Sequence, residues 1–289
     1  MSSAKEDTSG RLWHALDVVV ESQAREAVEY ALMEAGALGT ETTHLETFRV
    51  TGYFDRTPDR ERVRSELAEA LRIYELPSSS VREMNLREVA NEDWLGEWKK
   101  NWQPVESGRF IIAPPWSEID FPNDRIVIRI EPGMAFGTGT HETTRLCLAA
   151  IEKYFEVRSF LDVGTGTGIL AIAAAKLSPA ARITACDTDA EALEIARENA
   201  RLNGTGDRIE FQIGSIDDST VSADFVCANL TADVIGPLMP SLLNVSCGRL
   251  VLSGILDTQV DDVLARLREC GVSNPIEIMR DGEWAALVI

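Results

Sequence analysis

Two rhythms of apolar and polar residues divide this chain. In the first, Leu12 to Val20 is β-rich, and Ser22 is placed to cap a helix whose apolar positions Ala24, Ala27, Val28, Ala31 and Leu32 recur at helical spacing. Ala37 to Thr42 and Thr47 to Phe54 alternate like a hairpin. Arg60 to Tyr74 repeats Val63, Leu67, Ala70 and Leu71 on one face, and Val81 to Val89 returns as a last strand. Pro77 and the three serines after it mark a surface turn. This order predicts a small ferredoxin-like α+β sandwich.

From Val105 the rhythm becomes strand–helix alternation. Phe110 to Ala113 and Ile126 to Ile130 read as a hairpin-like preface. Strands follow at Leu161 to Val163, Ile183 to Cys186, Ile209 to Ile213, Asp224 to Asn229, Arg249 to Ser253, Ile276 to Met279 and Trp284 to Ile289. Helices fall between them, over 169–177, 190–202, 232–243 and 258–270. Such alternation predicts right-handed crossovers and a Rossmann-like, mostly parallel seven-stranded sheet with both faces covered. The last two strands are close enough in sequence to form an antiparallel edge hairpin. The expected organisation is an α+β domain over 10–88, a linker helix over 89–104 and an α/β domain over 105–289. In the linker, Trp94, Trp98 and Trp102 lie four apart on one helical stripe, as a packing seam or as a wall of a substrate entrance.

Composition narrows the setting. The chain has 289 residues, 45% of them hydrophobic, and a net charge of -19. So acidic a surface repels nucleic acid and favours a basic protein partner, or simply keeps the chain soluble. Cys147, Cys186, Cys227, Cys247 and Cys270 are scattered without a Cys-x-x-Cys pair, as expected of reduced thiols in a cytoplasmic protein. The three histidines show no ligand spacing, so no metal site is expected. The start is polar, and no apolar stretch is long enough for a membrane span. A monomer is the default expectation.

The chemistry gathers in three segments. The first is Asp162-Val163-Gly164-Thr165-Gly166-Thr167-Gly168-Ile169, where a strand meets glycines at every second position and then an apolar helix. Bare backbone there admits a nucleotide-like ligand to the strand end. Ile169 stands where a dinucleotide enzyme places its third glycine, which points away from a pyrophosphate and toward S-adenosylmethionine (SAM). Asp162 is expected to order the loop and face the ligand's amino or sulfonium group. Asp187, ending the second strand, is expected to accept both ribose hydroxyls, with Asp189 the better helix cap. Ser215 and Ile216 lie where an adenine edge would rest, unless Asp217 and Asp218 mark only a solvated turn.

The second segment, Glu131 to Thr144, is rich in Gly and Thr and reads as a cover over the ligand. Thr144 is placed to reach the methionine carboxylate. His141 reads as a loop or capping residue in preference to a base. The third is Cys227-Ala228-Asn229-Leu230-Thr231, where Asn229 would orient an amine beside the methyl group and Leu230 would flank it. Methyl transfer to an amine needs an uncharged nitrogen, alignment and little water.

Taken together, Glu92-Asp93-Trp94 with Trp98, Pro132 to Thr144, Asp162 to Gly168, Asn229-Leu230, Ser253-Gly254-Ile255-Leu256 and Gly282-Glu283-Trp284 resemble the bacterial methyltransferases of large-subunit ribosomal protein eleven, a class I SAM-dependent family. The resemblance implies methylation of lysine side chains and the α-amine of that basic ribosomal protein, which would dock on the N-terminal domain. By matched position it implies SAM contacts at Thr144, Gly164, Asp187 and Asn229. Gly166, Gly168 and Asp162 join them from the loop reading. The alternatives are a methyltransferase of another protein or of RNA, an NAD-dependent oxidoreductase, and a ribosome-assembly module that binds SAM without turnover.

Overall fold

The computed structural model describes residues 13–37, 39–44, 48–74, 76–89, 104–119, 124–131, 141–156, 158–217 and 219–289. The tryptophan stripe, nearly all of the expected linker helix and the Gly/Thr-rich stretch 132–140 lie outside those residues. The chain divides into two compact units, one before and one after the 90–103 stretch.

The first unit runs β1 (Trp13–Val20), α1 (Arg25–Glu34), β2 (Gly39–His44), β3 (Phe48–Phe54), α2 (Arg60–Ile73) and β4 (Val81–Val89). Its sheet is ordered β2-β3-β1-β4, and every neighbouring pair is antiparallel. That is the split βαβ layout of a ferredoxin-like sandwich. Alternate residues of β1 face the helices: Leu16, Val18 and Val20 pack with Val28, Ala31 and Leu32 of α1 and with Val63 and Leu67 of α2. Asp59 caps α2 by accepting from the amides of Glu61 and Arg62. Ser22 does not cap α1, contrary to its sequence position. It opens a 3₁₀ turn over Ser22–Ala24, and the helix proper starts at Arg25 without a side-chain cap. The Glu21 amide is held instead by the Ser80 carbonyl.

The second unit opens with β5 (Val105–Ser107), β6 (Phe110–Ala113) and β7 (Ile126–Arg129). The hairpin-like preface expected of β6 and β7 is not formed, because these two strands are parallel. The hairpin is β5–β6, turning at Gly108 (φ 55°), and the twelve residues 114–125 carry the chain back to the start of β7.

Next come α3 (Glu142–Tyr154), β8 (Ser159–Val163), α4 (Ile169–Leu177), β9 (Arg182–Asp187), α5 (Ala190–Leu202), β10 (Ile209–Ile213), β11 (Ala223–Asn229), α6 (Ala232–Val245), β12 (Ser246–Leu256), α7 (Val260–Glu269), β13 (Glu277–Asp281) and β14 (Trp284–Val288). The seven strands are ordered β10-β9-β8-β11-β12-β14-β13, with only β14 antiparallel to its neighbours. The final hairpin forms, with β13 at the edge and β14 one place in. Every residue of β8 is buried, as a central parallel strand requires. Its two faces feed two cores. Phe160 stacks with Phe225 at 5.5 Å beside Phe155, whereas Leu161 and Val226 join Met239, Leu242 and Leu267 under α6 and α7. Chain direction across the sheet reverses between β8 and β11, and ligands of open α/β sheets bind at such a switch point.

Candidate functional site

Strand register brings the predicted residues to that point. Val163 is opposite Cys186, Asp162 is opposite Cys227, and Asn229 is opposite Ser253. The carboxyl ends of β8, β9, β11 and β12 therefore line up, with Asp187, Asn229 and the glycine loop at their tips.

The loop is tied down by its own backbone. The amides of Gly164 and Thr165 both donate to the Cys186 carbonyl, at 2.9 and 3.0 Å, and the Gly168 amide donates to the Thr165 carbonyl at 2.8 Å. Gly164, Gly166 and Gly168 all have positive φ (72°, 53° and 81°), which a side chain strains. Space gives a second reason at two of them. A Cβ on Gly164 would come within 2.4 Å of the Leu230 side chain, and one on Gly168 would press on Ala196 of α5 at 3.1 Å. The protein's own atoms fill those places, so at 164 and 168 glycine serves the turn and the packing before it serves any ligand.

Asp187 holds the loop from β9. One carboxylate oxygen accepts from the Gly166 amide at 2.9 Å, and the other from the Asp189 amide at 3.0 Å. Asp189 caps α5 through the Glu191 amide at 2.8 Å. The carboxylate of Asp187 is thereby fixed at the strand end, with lone pairs remaining on both oxygens.

Asp162 is fully buried. One oxygen accepts from the Thr165 hydroxyl at 2.7 Å and the Ala171 amide at 3.2 Å, which orders the loop as expected. The other oxygen has no partner. Burial raises its pKa to about 7, against the pull of those two donors and with help from the nearby charge of Asp187. Burial, aided by the same two carboxylates, also pushes the Cys186 thiol up to about 12, and a hydrogen bond with Cys147 together with burial raises Cys227, so both are inert.

Two further buried oxygens lack a partner: Thr144 Oγ1 in the first turn of α3, and Asn229 Oδ1. Among the described residues only four buried side-chain atoms are unsatisfied, and three belong to residues singled out from sequence. Interiors leave few such atoms. Two of the three lie near the carboxyl ends of adjacent strands, with the third in the helix turn that Ser253 ties to them, which makes this end of the sheet the candidate site.

His141 is the N-cap of α3. Its Nδ1 accepts from the Thr143 amide at 3.3 Å, and its ring meets Trp284 edge-on at 5.0 Å. Ile216 is buried, while Asp217 closes a local turn through Ser219 and Thr220. Asp218 lies outside the described residues.

Sequence reasoning missed Asn199, in the interior of α5 and buried. It donates to the Thr167 carbonyl at 2.9 Å and accepts from the Glu131 amide at 3.0 Å, stitching the glycine loop to the segment just past β7. Asn203, one turn on, donates to the Arg129 carbonyl and accepts from the Arg129 amide, as a neighbouring strand would. The available signal was Asn199 on the apolar stripe of a helix, where asparagine is a poor helix former, with a second asparagine four residues on at the C-cap.

Comparison with known proteins agrees with this site. Residues 12–289 match the family described as "Ribosomal protein L11 methyltransferase (PrmA)". A protein of that name from Myxococcus xanthus is 37% identical over 289 residues, covering 94% of this chain and 96% of its own. One from Caldicellulosiruptor bescii is 32% identical over 306 residues, covering 96% and 98%. The crystal structure of a ribosomal protein L11 methylase from Lactobacillus delbrueckii subsp. bulgaricus superposes with a TM-score of 0.60 at 34% identity, over 65% of this chain and 97% of that one. This chain belongs to the ribosomal protein L11 methyltransferase (PrmA) family, whose members are SAM-dependent protein methyltransferases.

Proposed function

We propose that this chain transfers methyl groups from SAM to lysine side chains and the N-terminal α-amine of ribosomal protein L11. The observation that carries the reading is the trio of unsatisfied buried oxygens. Those of Asp162 and Asn229 lie near Asp187 at the carboxyl ends of the central strands, and that of Thr144 lies in the first turn of α3, which Ser253 ties to the strand beside Asn229. SAM fits that set. Its ribose hydroxyls are donors for Asp187, its ammonium for the free oxygen of Asp162, and its carboxylate an acceptor for the Thr144 hydroxyl. When bound, the cofactor supplies an electrophilic methyl carbon on sulfur.

The remaining work falls to the chain. The Asn229 amide oxygen accepts an N–H from the incoming amine, which turns the nitrogen lone pair toward the methyl group. Leu230 walls that end and keeps water out. A lysine enters uncharged after solvent removes its proton, since its ordinary pKa is about 10.4. The first unit is the proposed dock for the substrate, and a net charge of -19 suits a basic partner. No described helix is long and apolar enough to cross a membrane, in keeping with the proposed cytoplasmic setting. The oxidoreductase alternative falls away with family membership.

Incubating the protein with SAM and purified L11, then reading intact mass, tests the reading. Successive methyl-sized increments on L11 are expected. An unmodified L11 under conditions where SAM binds would reject the substrate.

A further inference from the structure

We infer that Ser253, near the carboxyl end of β12, is a positioning residue that sets the two sides of the methyl-transfer end of the site against each other. The inference rests on SAM lying at these strand ends. Ser253 follows Leu250-Val251-Leu252 in a buried strand, and it is itself fully buried. Burying a hydroxyl costs free energy unless it is hydrogen-bonded, and alanine would fill the strand without that cost. The hydroxyl is used. It donates to the Thr143 carbonyl in the first turn of α3 at 3.1 Å. The Ser253 carbonyl accepts from the Leu230 amide at 3.0 Å.

Each of these anchors adjoins an unsatisfied oxygen. Thr144 follows Thr143, Asn229 precedes Leu230, and parallel pairing sets Asn229 opposite Ser253. One residue thus holds the start of α3 and the β11–α6 junction in a fixed relation, although its own polar atoms are spent inside the protein. Gly254 completes the arrangement: a Cβ there would lie 2.3 Å from the Leu230 carbonyl oxygen, so the junction rests on bare backbone. Without the Ser253 hydroxyl, Thr144 and Asn229 would still be present, but the hydrogen bond that ties the first turn of α3 to the strand beside Asn229 would be lost. Groups that must grip one ligand together lose affinity and rate when their spacing loosens.

The Ser253→Thr and Ser253→Val variants isolate the hydroxyl, because the two side chains share a shape and a β-branch. The readouts are S-adenosylhomocysteine affinity by calorimetry, the thermal midpoint, and kcat and KM for SAM. Ser253→Thr is expected to keep affinity within about threefold, and Ser253→Val to fall roughly three- to tenfold below it in affinity and in kcat at a matched midpoint, as for one lost hydrogen bond. Equal affinity and kcat in the two variants would overturn the positioning role alone. If neither variant folds, the unaltered protein against Ser253→Ala makes the same comparison without the added branch. Failure of the unaltered protein to bind S-adenosylhomocysteine would overturn the cofactor reading, and this inference with it.

Discussion

Asp17 and Asp162 are buried strand aspartates, one in each unit, and each accepts a 2.7 Å hydrogen bond from a threonine hydroxyl. Their electrostatic fates are opposite. Burial works against the charge on Asp17, but Arg87 and Thr51 outweigh it through hydrogen bonds and charge, and its pKa is lowered. Arg87 reaches both carboxylate oxygens, at 2.9 and 3.4 Å. Asp162 has no cation beside it among the described residues, Asp187 adds a like charge, and one oxygen is left bare. A buried carboxylate closed off by a guanidinium is part of the frame. One left open and raised is, in the proposed reading, the group that meets the cofactor's ammonium.

The sharpest way to break this contrast is Asp162→Asn. The variant removes the acceptor charge for an ammonium, and S-adenosylhomocysteine affinity measured by calorimetry is expected to fall by about 2–3 kcal/mol, the scale of a hydrogen bond to a charged group. The thermal midpoint at pH 8 should hold or rise, because an unpaired buried charge is gone. A midpoint that drops with the affinity would make Asp162 a frame residue like Asp17.

Asp187→Ala comes next, with a loss of about 2 kcal/mol in the same titration. The change also frees the Gly166 and Asp189 amides, so hydrogen exchange at those two amides should speed up. Unchanged affinity would place the ribose elsewhere.

Asp17→Asn should do the reverse. The Arg87 pair is partly exposed, so about 1–2 kcal/mol of unfolding free energy is expected to go. This contribution is present above the ordinary carboxylate pKa and lost only in acid, as the lowered folded value requires. Cofactor affinity should not move; if it did, the two aspartates would not differ in kind.

Much of this was legible in the sequence because local rules and global fold agree. The glycines at 164, 166 and 168 announce a tight turn, and Asp187 ends a strand at the spacing a sugar-binding carboxylate takes. Legibility failed where the deciding partner is distant. Ser22 looked like a cap, but the Glu21 amide is tied to Ser80, and the chain takes a 3₁₀ turn first. β6 and β7 looked like a hairpin because strand propensity carries no direction, and only the length of 114–125 allows the parallel return. Asn199 was passed over because a helix interior shows none of the carbonyls it will meet. The packing demand on Gly164 was invisible, because the Leu230 side chain that a Cβ there would meet lies 66 residues on.

The smallest effect is also the one most specific to the contrast. With a folded pKa of about 7 against 3.8 for an ordinary aspartate, Asp162 keeps a proton in the free protein that an unfolded chain has released. Below 3.8 both states are protonated; between 3.8 and about 7 its contribution to stability falls as pH rises; above about 7 the cost is constant. An ammonium beside the carboxylate favours the ionised form, so S-adenosylhomocysteine should bind more tightly as pH rises from 6 to 8, by up to about tenfold or roughly 1.4 kcal/mol. At pH 6 binding should release a proton, visible as a dependence of the calorimetric heat on buffer ionisation enthalpy. Asp162→Asn should flatten that profile and Asp17→Asn should leave it intact. A pH-independent affinity in the unaltered protein would show that the bare oxygen of Asp162 does not meet the cation.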